Sequence, residues 1–168
     1  MQLDTKIDNR AQEELEKKYD TALNTRDNGP SFRRFVYIAT LLFALYHFWT
    51  AGFGTPVDYV HMGIHLSGLF FFIFVGFPLL KTASALKYKG PSMWTPGNVP
   101  LYDWAIMLLA IIASLFLWYS WRGFDVFGIQ VAEQTMRQGN PSTIDVVLGS
   151  FLILAVLEIT RRTIGFVL

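Results

Sequence analysis

A glutamate and two arginines close the chain. In VLEITRRTIGFVL (156–168), Glu158, Arg161 and Arg162 stand at the foot of a long apolar run. Spacings of three and four put the acid and both bases on one helical face, with the acid N-terminal, the order that favours pairing. Cations also suit the negative pole of a helix C-terminus. The cluster predicts a junction: Glu158 holds one guanidinium while the other reaches a neighbouring helix or a lipid phosphate. Arginine suits this because its planar fork makes paired hydrogen bonds. Gly165, just beyond, permits close helix approach or a bend. The plainer reading is an anchor that faces lipid headgroups. Two further carboxylates, Asp103 and Asp145, fall where helices begin, and each favours the helix dipole there. Ser142 three residues before Asp145 completes a capping-box pattern.

Histidines are the other candidates, because polar groups inside an apolar run mark sites by default. His47 and His65 come to similar depths at about 1.5 Å per residue. Two histidines on neighbouring helices can ligate a haem, so a four-helix haem b electron carrier is the alternative reading. The plainer one is a hydrogen bond from each ring to a backbone carbonyl or another helix. The neighbours Phe43, Trp49, Phe70, Phe71 and Phe72 fill space rather than admit a porphyrin. His61 and His65, four apart, form a possible metal pair that lacks an evident third ligand. Ser31, Ser67, Ser114 and Ser150 have no His–Asp company, and no glycine-rich phosphate loop is present. The chain has no cysteine, which excludes disulfides and thiolate chemistry. We therefore expect no enzyme activity, no cofactor and no metal.

These residues sit on elements that composition already defines. Of 168 residues, 52% are hydrophobic and 16% charged, where soluble domains run nearer 25% charged. The net charge of +1 argues against nucleic acid as a partner, since a phosphate binder needs a basic patch. Residues 1–32 form a polar tail. Within it, Ala11, Leu15, Tyr19 and Leu23 share one face of a weak amphipathic helix. RDNGP at 26–30 breaks that helix. Four apolar segments follow, at 35–53, 62–80, 101–121 and 144–159. Each reaches or approaches the ~20 residues that cross a bilayer as a helix. The fold class is an all-α integral membrane protein: four transmembrane helices in residues 33–168, preceded by a cytoplasmic amphipathic helix. The outer loop 122–141 places Phe124, Phe127 and Val131 at helical spacing, as for a segment lying flat at the interface.

Lysine and arginine set the orientation. Of 14 such residues only Arg122 and Arg137 fall on one side, so both termini are expected in the cytoplasm. Trp49, Trp118 and Trp121 fall at the outer boundary, Trp94 and Trp104 at the inner one. The deep part of all four segments lacks charged residues, and a solute path through this unit alone needs polar lining.

Three stretches resemble a known family. They are GIHL at 63–66 with Pro78 after it, PLYDW at 100–104, and above all DVVLGSFLILAVLEITRRTIG at 145–165. The last carries Asp145, Gly149, Glu158, Arg161, Arg162 and Gly165. Residues 33–168 resemble the small four-helix membrane component of tripartite ATP-independent periplasmic (TRAP) transporters, in the form fused to the permeases that work with TAXI-type binding proteins. The family commonly has a basic residue just before the helix 2 histidine; here YVHMGIHL offers only His61. The resemblance implies a multi-pass protein of the bacterial inner membrane. Its partners would be a large TRAP transport domain or subunit, a periplasmic TAXI-type solute-binding protein and membrane lipids. The small component transports nothing alone and braces the moving part. The apolar ending at Leu168 is read as the start of a connection to that transport domain, or the end of a separate small subunit.

Overall fold

The computed structural model describes residues 25–79, 90, 95–126 and 129–164. The amphipathic helix expected in the tail, Trp94 and Gly165 lie outside the described residues. Four long helices dominate: α1 Pro30–Phe53, α2 Asp58–Gly76, α3 Leu101–Tyr119 and α4 Thr143–Ile164. At about 1.5 Å per residue they span roughly 29–36 Å, matching a hydrocarbon core of about 30 Å. All four are long and apolar enough to cross a membrane.

Local chemistry sets the helix boundaries. Pro30 is the first residue of α1, where its missing N–H costs nothing. α2 starts at Asp58, earlier than the apolar run implies, because a carboxylate in the first turn suits the dipole. It ends at Gly76, and Phe77 is extended (φ −117°, ψ 119°), as expected of a residue preceding proline, here Pro78. A 3-10 turn at Pro96–Asn98 leads into α3. Gly97 adopts φ 63° there with its Cα against the Phe32 ring, where a side chain would collide.

The helices run up and down with two distinct ends. One end gathers the starts of α1 and α3 with the ends of α2 and α4. The other gathers the start of α2, the end of α3 and the start of α4 beneath a small cover. α2 and α3 form the central pair. Gly63 brings them together: a β-carbon there would lie 2.8 Å from the Ser114 carbonyl oxygen. Phe70, Phe74 and Val75 of α2 pack with Met107, Ala110 and Ala113 of α3, and α4 adds Leu152, Ala155 and Ile159. α1 is peripheral, and Thr50 is its only buried residue.

The cover is not helical in the way the spacing suggested. Residues Phe124–Val126 (β1) and Ile129–Val131 (β2) form an antiparallel hairpin in which Phe124 pairs with Val131. Phe124 packs on Phe116 and Tyr119 at the end of α3, and Val131 is buried. Residues seven apart share a helix face, but two strands facing across a turn bring the same pair together too.

Candidate functional site

At the first end, the charged residues converge on the tip of α2. Asp103, in the first turn of α3, has no solvent exposure. Its two carboxylate oxygens each accept one charge-assisted bond. Arg162 Nη2 donates to Oδ1 at 2.8 Å, and Arg26 Nη2 donates to Oδ2 at 2.8 Å. Arg162 also donates through Nε to Glu158 at 2.8 Å and through Nη1 to the Phe77 carbonyl at 3.1 Å. Its guanidinium lies 4.4 Å over the Phe74 ring. Arg161 forks onto both oxygens of Glu158 at 2.8 Å and reaches the Leu79 carbonyl at 3.3 Å. The Arg26 backbone N–H donates to the Gly76 carbonyl at 2.7 Å.

The arrangement has one physical logic. The last carbonyls of α2 have no partners within their own helix, and they form its negative pole. Arg26 meets that pole through its backbone N–H at Gly76, Arg162 and Arg161 bind the carbonyls just beyond it at Phe77 and Leu79, and two carboxylates hold the arginines in place. Arg162 and Arg26 are buried, but Glu158 and Arg161 keep about a quarter of their side-chain surface. Arg162 therefore has no surface to offer a partner. What Glu158 and Arg161 expose is the only part of the terminal cluster that can reach outward.

Toward the second end, all three histidines of the chain come together between α1 and α2. His47 Nδ1 lies 2.9 Å from the Phe43 carbonyl oxygen. His47 Nε2 lies 2.8 Å from His65 Nδ1, and the Tyr46 hydroxyl meets His61 Nδ1 at 3.0 Å. Ring centroids are 5.0 Å apart for His47 and His65, 5.5 Å for His47 and His61, and 6.5 Å for His61 and His65. Among the described residues, no three ligands are placed to hold a metal. His47 and His65 are in direct contact, His65 through its Nδ1.

Nearer the surface of that end, Asp145 opens α4. Its Oδ2 accepts from the Ser142 backbone N–H at 2.9 Å and from the Ser142 hydroxyl at 2.5 Å. Arg137 forms an ion pair with Asp145 and donates to the Ala132 carbonyl at 2.7 Å, which ties the cover to α4. Beside this pair lies a cavity of about 230 Å³ with apolar walls from Ala113, Leu117 and Leu152 and polar ones from Gln134 and Arg137.

Sequence spacing could pair Glu158 with Arg161 and Arg162 because they are one turn apart. It could not join Arg162 to Asp103, 59 residues away, and it missed Arg26 altogether. Arg26 sits in RDNGP, a stretch that reads only as a helix breaker. No protein-family model, no curated protein and no solved structure matches this chain.

Proposed function

We infer that this chain is the small, non-transporting membrane component of a TRAP-type secondary transporter. In this reading it lies in a bacterial inner membrane with both termini cytoplasmic. It braces a large transport domain, which moves an organic-acid-like solute inward with sodium or protons. A periplasmic TAXI-type binding protein delivers the solute.

The observation that carries this reading is how the closing stretch is used. Of the six residues of 145–165 that bear the family resemblance, the four charged ones, Asp145, Glu158, Arg161 and Arg162, are engaged at helix ends. The outer faces they leave are apolar: on α1, Leu42, Phe48 and Phe53, and on α4, Val147, Ile153 and Leu154, are all more than half exposed. A rigid frame with charge confined to its ends and apolar flanks suits bracing better than carrying.

The test is co-expression of the tagged chain with a large TRAP transport domain. A complex of fixed stoichiometry is expected. Solute uptake should appear in proteoliposomes that hold both parts and the binding protein, and not in those with this chain alone. Uptake by this chain alone, or failure of two folded parts to associate, would overturn the reading.

A further inference from the structure

We propose that the contact between His47 and His65 is a proton-operated latch that holds α1 against α2. It stays closed while at most one of the two rings is cationic and opens when both are. This inference does not depend on the transporter reading.

The hydrogen positions follow from the partners. A backbone carbonyl only accepts, so the proton between His47 and the Phe43 oxygen sits on His47 Nδ1. A neutral imidazole carries one N–H, so His47 Nε2 is then bare. The proton in the 2.8 Å contact must belong to His65 Nδ1, which leaves His65 Nε2 bare in turn. One added proton fits on that atom, and the contact survives as a charge-assisted bond. A second proton does not fit. It would put N–H against N–H across 2.8 Å and two like charges side by side. The dication can exist only with the rings apart.

Among the described residues, the surroundings offer no counter-charge. Tyr46 and His61 are the titratable groups that face the pair, from α1 and α2 respectively. α3 packs on another side of α2, through Gly63, Phe70 and Phe74. Asp58, one turn before His61, is exposed, and among the described residues no carboxylate bonds to either ring. The latch also matters mechanically. The side-chain hydrogen bonds between α1 and α2 among the described residues are His47 to His65 and Tyr46 to His61, so both run through imidazoles. The open state binds one more proton than the closed one, so falling pH favours it and rising pH restores the closed one.

The lack of native cysteine makes the test direct. Spin labels on Phe48→Cys and Met62→Cys, both exposed positions, report the α1–α2 separation of the full chain in lipid nanodiscs. One short distance is expected at pH 8, with a second, longer population at pH 5 that disappears when pH 8 is restored. His65→Asn keeps an N–H donor for His47 but cannot titrate, and should show the short distance at both pH values. An unchanged distance in the parent chain, or a pH 5 population that persists in His65→Asn, would overturn the latch. Nitrogen-15 spectra of the unsubstituted chain at pH 8 give a second test that needs no variant. Both His47 and His65 should be Nδ1–H tautomers, and an Nε2–H tautomer at His47 would also overturn it.

Discussion

Arg162 is one side chain with four distinct partners, and that makes its removal costly. Its positive charge is buried, and so is the carboxylate of Asp103 that neutralises it. Breaking a buried pair by deleting one member leaves an uncompensated charge, at about 3–5 kcal/mol. Asp103→Asn, which takes the carboxylate from two buried guanidinia, should cost that much, and Arg162→Ala, which leaves Asp103 still paired with Arg26, somewhat less, each read as loss of thermal stability of the purified chain. A loss under about 1 kcal/mol, typical of an exposed pair, would mean water reaches the site. Arg162→Lys should rescue little, since an ammonium cannot serve Asp103, Glu158 and Phe77 at once as a planar fork does. Arg161 is the contrast. At 24% exposure beside Glu158, its replacement by Ala should cost about 0–1 kcal/mol. If the exposed half of the cluster meets a transport domain, Arg161→Ala should nevertheless reduce the yield of the complex. Equal losses of stability from Arg161→Ala and Arg162→Ala would erase the distinction between a buried and an outward-facing arginine.

Between elements, backbone separation decides what a small residue is worth. Gly63 and Gly149 both sit inside transmembrane-length helices, and helix propensity alone favours Ala over Gly at each by roughly 1 kcal/mol. Their surroundings split them. A β-carbon at Gly149 meets nothing within 4 Å, whereas at Gly63 it meets the Ser114 carbonyl oxygen at 2.8 Å. That oxygen belongs to the α3 backbone and cannot swing aside. Gly149→Ala should therefore raise thermal stability by up to about 1 kcal/mol. Gly63→Ala should lower it by about 1–3 kcal/mol, the usual cost of overpacking. Melting curves of the two variants beside the parent settle the sign, and a stabilised Gly63→Ala would mean α2 and α3 are not that close. This pairing was invisible in the sequence, where both glycines interrupt similar apolar runs. The hairpin at the second end was invisible for a different reason. Phe124 and Val131 satisfy a helical and a cross-strand pattern equally, and only their packing on Phe116 and burial choose between them. The Ser142–Asp145 cap, by contrast, was readable because both partners lie within one turn.

The whole molecule divides into what a bilayer selects and what packing selects. Long apolar runs are a coarse requirement of lipid, so the four spans could be read directly from residue type. Which helix is central could not, because apolar character suits a lipid-facing and a buried face alike, and only packing shows that α1 alone has almost nothing buried. Burial of Asp103 and Arg162 was likewise hidden, since each looked like an ordinary helix-end charge. Orientation belongs to this scale, because it depends on all the charges together. Among the described residues, Arg26, Arg33, Arg34, Arg161 and Arg162 lie at the first end, and only Arg122 and Arg137 flank the second. Some of the first-end arginines are spent on internal pairs, but Arg33 and Arg34 are exposed, and in the proposed orientation they are the charges that would hold that end on the cytoplasmic side. Reporter fusions after residues 57 and 130 should be active outside the cytoplasm, and one after residue 90 inside. Neutralising Arg33 and Arg34 together should produce a fraction with inverted orientation, whereas neutralising Arg122 and Arg137 should not. The reverse pattern of reporter activity would place the histidine latch on the cytoplasmic side and the arginine network on the outer one, and would rule out a junction with a cytoplasmic connection at Glu158 and Arg161.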